Sequence, residues 1–261
     1  MTLILELPAF ASASMVVAIT IFAAFVPYLI GRKLFLPKTD EQTRDLAYSV
    51  VFRVSALHSL ILALVFAQEL LQHEKVRSAM TTEAILVGNV FWDLDRYGGD
   101  SARAARFHMT DYAEAVLTEE WDSLAREGLL SESAWAAWEQ AYNNILDLES
   151  ANSRQESLRN LMVNELRQIA ALRQKRQAAA TFDISELFMF AAFAGIILVS
   201  IGYYPFPPSA VNLTLLGVFA TYTGLVIYMI LSFSSSYGGA GHVEPTSFQI
   251  LYLQDMVEFH R

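Results

Sequence analysis

One apolar stretch of the chain carries polar side chains where a membrane helix would not normally have them. "VVFRVSALHSLILALVFAQELLQHEK", residues 50–75, reads as a single helix that starts as a membrane span and ends in water. Arg53 and His58 lie inside its apolar part, and Glu69 follows that part directly. Ionisable residues in a span usually face a bundle interior or water, because exposing them to lipid costs about 2.5 kcal/mol or more. The first question is therefore what this helix faces.

Six side chains of this helix fall in one narrow stripe when successive residues are turned by about 100°. The stripe is small and polar at one end, apolar in the middle and ionisable at the other end. Around a shared axis it would form a vestibule, a hydrophobic constriction and a charged mouth, as in an ion pore. The alternative is that these side chains make helix contacts inside a single bundle. The stripe consists of Ser55, Ser59, Leu62, Phe66, Glu69 and His73.

The sequence offers no motif for catalysis or for binding a metal or nucleotide. It has no phosphate-binding loop, no dinucleotide-binding glycine signature and no His-Glu-x-x-His helix. It has no cysteine, which excludes disulfides and thiolate metal sites. Glu69 and His73 are four residues apart, a spacing more typical of a surface pair than of a cation site. We expect no enzymatic activity, no catalytic residues, no bound metal and no cofactor.

The composition indicates a membrane protein with a soluble part. Of 261 residues, 54% are hydrophobic and only 17% are charged, which is too apolar for an ordinary soluble domain. A span takes about 20 mostly apolar residues. Four segments satisfy this requirement, near residues 9–31, 49–68, 186–204 and 211–233. "YYPFPPSA" separates the last two, and its prolines suit a hairpin at the membrane interface.

The predicted fold is all-α: four transmembrane helices with a helical soluble domain inserted between the second and third. We assign residues 1–68 to the first two spans, 69–185 to the soluble domain, 186–233 to the last two spans, and 234–261 to a C-terminal loop and short amphipathic helix. Residues 69–186 contain 20 acidic and 12 basic side chains. Because nucleic acids are themselves negatively charged, this excess of acidic side chains disfavours them as partners, and we expect no nucleic-acid binding.

Turn signals divide the soluble domain into four helices. The first continues the second span to about residue 97, and the next two cover residues 101–126 and 131–148. The fourth begins at Ser153 and is expected to run on into the third span. Ser131 is a good N-cap, and Gly128 follows the preceding helix. Apolar residues at three- and four-residue spacing from Leu158 to Leu172 predict the buried face of the fourth helix.

The charges next to the spans leave the orientation open. Four basic residues in the loop after the first span favour a cytoplasmic location for that loop under the positive-inside rule. Basic residues at both ends of the soluble domain, including Arg167, Arg173 and Arg176, favour the opposite orientation. We expect a multi-pass protein of the cell (inner or plasma) membrane. The charge pattern does not determine on which side of that membrane the soluble domain lies.

Several segments resemble a known family. The element Glu83, Ala84, Gly88 follows the second span, and Glu120-Trp121 stands in "YAEAVLTEEWDSLAREG". "LRQKRQ" precedes the third span, and "SYGGAGHVEPTSFQILYL", with Gly238 and Pro245, follows the fourth. Together with "GRKLFLP" after the first span, these segments are similar to those of the bestrophin-like family of bacterial and plant membrane proteins. Ser236-Tyr237 replaces the Pro-Phe that the family usually has there.

The resemblance implies a bestrophin-like scheme. That scheme has four spans, a helical domain between the second and third, and a homo-oligomer, a pentamer by analogy. The second span would line an anion pore, with Leu62 and Phe66 as its hydrophobic neck. The acidic cluster of the bestrophin calcium site has no counterpart in "DMVEFH", residues 255–260.

Three functions remain open from the sequence. The first is an oligomeric ion channel, whose partners are the lipid bilayer, copies of itself and a permeant ion that the sequence does not identify. The second is a membrane sensor whose helical domain binds a ligand or a partner protein, and the third is a structural scaffold. We rank them in that order.

Overall fold

The computed structural model describes residues 8–35, 41–181, 184, 186–239, 241–257 and 259, and these residues form helices and no strand. The helices are α1 (Ala9–Phe35), α2 (Glu41–Tyr97), α3 (Asp100–Ala115), α4 (Trp121–Arg126), α5 (Glu132–Leu146), α6 (Ser153–Ala180), α7 (Glu186–Gly202), α8 (Ala210–Ser234) and α9 (Thr246–Leu251). A π-helical turn, Val116–Glu120, joins α3 to α4, and a second, Tyr252–Met256, follows α9. The predicted all-helical class is confirmed.

The ends of the helices predicted for the soluble domain agree with the structure to within two residues except at the end of α6. α2 runs to Tyr97 as expected, and the Ser131 hydroxyl caps α5 by accepting the Ala134 N–H at 3.4 Å. α6, however, ends at Ala180, so the prediction that it continues into the third span is wrong. The Thr181 hydroxyl donates to carbonyls of the last turn, a local bond that competes with helix continuation.

The chain forms two compact units. The first comprises residues 1–72 and 183–242, and the second comprises residues 73–182 and 243–261. α2 contributes to both units. The C-terminal segment that begins at residue 234 is divided between them, because its residues from Val243 onward belong to the second unit.

In the first unit, α1 packs against α7 and α8. The Thr20 hydroxyl on α1 donates to the Ala220 carbonyl at 3.0 Å. A Cβ atom on Gly224 would lie only 2.3 Å from Thr20 Oγ1. Small residues that allow such close approach are typical of helix pairs in membranes.

The end of α1 binds the loop between α7 and α8. The Tyr28 hydroxyl donates to the Phe206 carbonyl at 2.9 Å. The Arg32 guanidinium donates to the same carbonyl at 2.9 Å and to that of Tyr204 at 3.3 Å. The end of α1 thus lies beside this loop, as expected if both are on one side of a membrane.

Three helices are long and apolar enough to cross a membrane. They are α1, α2 and α8, with mean hydropathies of 2.2, 2.1 and 1.9 over their most apolar 18 residues. α7 is also apolar but has 17 residues. At about 1.5 Å per residue it is slightly shorter than a hydrocarbon core of about 30 Å. These apolar helices fit a membrane protein.

His58 lies in the interior of the first unit, on the face of α2 that packs against α7. A Cβ atom on Gly195 of α7 would stand 2.0 Å from its Nδ1 atom. The imidazole therefore fills the space that the absent side chain of Gly195 leaves. This packing explains why an imidazole is tolerated within an apolar stretch.

In the second unit, α3 packs against α5, and α5 packs against α6. The Trp138 indole N–H donates to the Leu166 carbonyl at 3.1 Å, and the Trp138 ring stacks on Trp135 and Tyr142 with centroids 4.5 and 5.1 Å apart. Met162, Leu166 and Ile169 are fully buried. The apolar face predicted for α6 is confirmed by these three residues.

Gly195→Ala should destabilise the first unit, because the new methyl group and the His58 ring cannot occupy one place. Overpacking of this kind costs about 1–3 kcal/mol. We expect a lower melting temperature for the full-length protein in detergent, followed by circular dichroism, and partial recovery in His58→Ala/Gly195→Ala.

Gly217→Ala is the matched control, since the nearest atom to its new Cβ would be Phe25 Cζ at 4.0 Å. Its melting temperature should stay close to that of the wild type. An unchanged melting temperature for Gly195→Ala would contradict the packing of His58 described above.

Candidate functional site

The second unit encloses four charged side chains, which we call the charge cluster. It consists of Glu83 on α2, Glu120 on the π-helical turn, and Arg173 and Arg176 on α6, all of them buried. Two carboxylates and two guanidinium groups balance in formal charge. Burying an ion costs several kcal/mol unless it is paired and hydrogen-bonded. The geometry of the pairs therefore decides whether this cluster stabilises the unit.

Arg176 contacts both carboxylate oxygens of Glu83. Its Nε atom lies 3.0 Å from Glu83 Oε2, and its Nη2 atom donates to Oε1 at 3.0 Å. The Tyr112 hydroxyl of α3 donates to the same Oε1 at 2.5 Å. Burial raises the pKa of Glu83, and the Arg176 guanidinium opposes that rise. Burial also raises the pKa of Tyr112 well above its ordinary value, so the phenol remains a hydrogen-bond donor.

Glu120 receives both arginines. Arg173 donates to its Oε2 from Nε at 3.1 Å and from Nη2 at 2.6 Å, and Arg176 donates to its Oε1 at 2.5 Å. The backbone N–H of Ser131 donates to Oε2 at 3.0 Å, and Arg173 donates to the Ser131 carbonyl at 2.5 Å. The residue that caps α5 is thus bound to the cluster through both of its backbone groups.

The π-helical turn keeps Glu120 pointing inward. Tyr112, Val116, Glu120 and Leu124 follow one another at four-residue spacing, and all four are buried. In a regular α-helix such a series drifts by about 40° per step. One π-helical turn takes up an extra residue and removes most of that drift. The sequence predicts one regular helix over residues 101–126 and does not indicate this turn.

The arginines of the cluster continue the buried face of α6. Met162, Leu166, Ile169, Arg173 and Arg176 follow each other at three- and four-residue spacing, and all are buried. Their positions in the sequence suggest instead two basic residues that flank a span. The signal that could have identified them was their helical phase, which places them with the apolar side chains.

Both carboxylates of the charge cluster are paired. Each carboxylate is held by at least one guanidinium and one further donor. Within the described part of the chain, no group of three or more His, Cys, Asp or Glu side chains is placed to hold a metal ion. The hydrogen bonds and ion pairs of the cluster join α2, α3, α5 and α6.

The remaining motif residues lie in both units. The Trp121 indole N–H donates to the Val243 carbonyl at 3.0 Å, and Pro245 precedes α9 as its N-cap. Ala84 is buried on α2, and a Cβ on Gly88 would be 3.0 Å from Leu251 Cδ1. Gly238 follows α8 in the first unit. Of these residues, Trp121 lies beside the charge cluster, because the Arg176 guanidinium is 5.9 Å from the centroid of the Trp121 ring.

The stripe predicted to line a pore lies largely on the packed face of α2. Leu62 is 6% exposed and Glu69 is 1% exposed. Leu62 belongs to an apolar core that includes Ile196 and Ile227, and half-buried Phe66 contacts the Phe233 ring edge-on at 5.9 Å. The side chains of Leu62 and Glu69 are thus packed within the single chain, as helix contacts inside one bundle would require. The assignment of the stripe to a pore stays a prediction.

The other three residues of the stripe differ in exposure. Ser59 is exposed, and Ser55 and His73 are half-buried. The Ser55 hydroxyl donates to the Phe52 carbonyl one turn earlier at 3.0 Å. His73 belongs to the second unit, whereas the serines belong to the first. Among the six, Ser59 is the residue whose side chain is open to a partner or to water.

Glu165 is a further buried carboxylate of the second unit. The Asn89 side-chain amide donates to its Oε1 at 3.1 Å, while its Oε2 has no hydrogen-bond partner among the described residues. Burial raises the pKa of Glu165, and the Asn89 hydrogen bond partly opposes this. The ionised carboxylate is therefore less favourable in the folded unit than in the unfolded chain.

Arg176→Met should strongly destabilise the second unit, because Glu83 and Glu120 both lose a buried guanidinium. Removing one partner of a buried pair costs about 3–5 kcal/mol. The readout is the thermal unfolding of the full-length protein. Arg126→Met is the control, since Arg126 and Asp122 form an exposed pair at 3.1 Å and such pairs contribute about 0–1 kcal/mol. Equal effects of the two substitutions would contradict the role given to Arg176.

Glu165→Gln should stabilise the protein more at neutral than at acidic pH. A raised folded-state pKa means that the contribution of Glu165 is fully present below its unfolded pKa and is lost as the pH rises through the folded value. Glutamine can still accept the Asn89 hydrogen bond. Because it does not ionise, its contribution to stability does not fall as the pH rises. The difference in melting temperature between variant and wild type should be larger at pH 7.5 than at pH 4.5. A difference that is independent of pH would contradict this.

Comparison with known proteins agrees with the helical architecture. A family model described as the bestrophin-like domain matches residues 13–248. Among solved structures, the chain is similar to a bacterial bestrophin homolog from Klebsiella pneumoniae that carries one mutation, with 13% sequence identity and a TM-score of 0.58. That match covers 95% of this chain and 99% of the other. No curated protein matches the chain. The family match extends over nearly all of the sequence, and the chain belongs to the bestrophin-like family.

Proposed function

We propose that this protein is an oligomeric ion channel of the bestrophin type. The observation that carries the proposal is the family match over residues 13–248. The similar solved structure is itself that of a bestrophin homolog. In this proposal the four spans would be the three helices that are long and apolar enough to cross a membrane, together with the apolar α7. The protein would lie in the cell membrane as a multi-pass homo-oligomer, with five copies by analogy.

The second span would line the pore through its exposed face. A residue that lines an axis shared between copies must be accessible in the single chain. The face of α2 opposite Leu62 meets this condition, because Ala56, Leu60 and Leu64 are exposed. Leu60 and Leu64 could form the hydrophobic neck, while Ser59 stands at the edge of the same open surface.

Arg53 supports conduction of anions. It is exposed and lies seven residues before Leu60, which is close to two helical turns and hence the same side of α2. Repeated around an axis, it would form a ring of positive charge at one end of the neck, and such rings favour anions. Glu69 is buried in the single chain and so does not oppose this field as an exposed ring would.

The sensor hypothesis depended on helices that run unbroken from the soluble domain into the second and third spans. α2 has this continuity, but α6 ends at Ala180. The family match favours the channel, which is the function that we develop.

Arg53→Gln should reduce the preference for anions, because it removes the positive ring. The measurement is the reversal potential of currents from purified protein in a planar bilayer under a chloride gradient. The reversal potential of Arg53→Gln should lie further from the equilibrium potential of chloride than that of the wild type. Arg44→Gln is the control, since Arg44 is also exposed on α2 but about half a helical turn away from Arg53 in direction. Currents with the same reversal potential for Arg53→Gln and wild type would exclude Arg53 from the conduction path.

A further inference from the structure

An open pocket lies in the second unit where α2 ends and α3 begins. Its volume is about 310 Å³, at the lower end of the range of about 300–1,000 Å³ that is typical of ligand sites. The lining comes from the end of α2, the start of α3 and the C-terminal segment, and it includes Asp95, Gly98, Gly99, Arg103, Arg106 and Phe259. None of these residues belongs to the charge cluster.

Two glycines leave bare backbone on one side of the pocket. Gly98 and Gly99 have φ angles of 77° and 90°, a conformation that residues with a Cβ atom rarely adopt. A Cβ atom at either position would meet no other part of the described chain within 4 Å. Gly99 precedes α3 and supplies no side-chain hydrogen bond to it. The N–H groups in the first turn of α3 therefore lack a capping side chain, and such groups favour anions.

The Arg106 guanidinium lines the same pocket in a fixed position. It lies over the rings of Phe91, Phe259 and Trp92, 4.0, 4.4 and 5.3 Å from their centroids, and its Nη1 atom donates to Asp95. Cation–π contacts of this kind attract a guanidinium to the ring faces. Among the described residues, its Nη2 atom has no hydrogen-bond partner and, unlike Nε, is not enclosed by protein. Nη2 is therefore the donor that Arg106 retains for a ligand.

Arg103 adds a positive charge that no acidic residue of the pocket lining balances. It is exposed on α3, three residues before Arg106, and its side chain forms no ion pair with a described residue. The lining contains these two arginines and one aspartate, which Arg106 already holds. Asp100, the first residue of α3, is exposed and is not part of the lining. The pocket is thus locally positive, although residues 69–186 contain eight more acidic than basic side chains.

We propose that this pocket binds a small anion through a phosphate group. The donors available to the anion are the Arg103 side chain, Nη2 of Arg106 and backbone N–H groups at the start of α3. A phosphate group offers more oxygen atoms to such a set of donors than a carboxylate does. Arginine side chains also pair with phosphate in a fixed geometry, which adds selectivity to the charge attraction.

Free phosphate and a phosphate ester share this chemistry. The Phe259 ring in the lining gives the organic part of an ester an apolar surface to contact. The inference goes beyond the proposed channel and does not depend on it, because every lining residue belongs to the second unit.

The test is isothermal titration calorimetry of the full-length protein in detergent, with inorganic phosphate and with phenyl phosphate as probes and with ionic strength kept constant by chloride. We expect saturable binding to the wild type. Arg103→Gln should weaken the binding of both probes at least fivefold, because it removes a charged donor. Arg154→Gln is the control, since Arg154 is an exposed arginine in the first turn of α6 of the same unit. Its affinity should match that of the wild type.

The two probes distinguish the sources of the phosphate group. Tighter binding of phenyl phosphate would support the proposal and identify an ester as the occupant, whereas equal affinities would support it and identify free phosphate. No saturable binding of either probe up to about 10 mM, which would detect dissociation constants in the millimolar range, would overturn it. Equal affinities of Arg103→Gln and Arg154→Gln would also overturn it, because the anion would then bind elsewhere. Neither of these last two results bears on the proposed channel, since no current is measured.

Thermal unfolding gives an independent measurement. A ligand that binds the folded protein raises its melting temperature, whereas the general effect of phosphate on protein hydration acts on every variant alike. Phosphate should therefore raise the melting temperature of the wild type and of Arg154→Gln more than that of Arg103→Glu. Arg103 is exposed, so we expect all three proteins to melt at similar temperatures without phosphate. The same rise in all three proteins would overturn the proposal.

Discussion

The second unit depends on Arg176, because this one guanidinium contacts two buried carboxylates from separate parts of the chain. Glu83 comes from the long α2 helix, and Glu120 comes from the π-helical turn. A buried ion without its partner costs several kcal/mol, so α2, α6 and the turn must meet in one arrangement. Two further features of the unit follow from this constraint. The helix after Tyr112 takes up an extra residue, and α6 presents arginines on its core face.

Much of this architecture could be predicted from local sequence. Ser131 has the side chain and position of an N-cap and forms one, and Gly128 ends the preceding helix with a positive φ of 67°. The apolar spacing of α6 identified its buried face. The charge cluster could not be predicted in the same way. Helical phase shows that Arg173 and Arg176 point inward, but it does not show which distant carboxylates they meet. The family resemblance indicated Glu83 and Glu120 without indicating that they share a partner.

The residues of the second span likewise do not determine which environment its polar stripe faces. A polar stripe on an apolar helix faces either its own bundle or a common axis, and both environments favour similar residues. The position of one polar residue is explained by the missing side chain of Gly195 on a distant helix, which makes room for His58. Leu62 and Glu69 are also buried in the single chain, whereas the opposite face of α2 is exposed. Arg53 lies on that exposed face.

The central claim is that the assembled protein conducts ions, and the most direct test is chloride efflux from proteoliposomes that contain the full-length wild-type protein. With potassium movement balanced by an ionophore, the account predicts efflux that increases with the amount of oligomer and exceeds that of protein-free liposomes. Efflux at the protein-free rate across a range of pH, voltage and calcium, from protein shown to be folded and oligomeric, would contradict it.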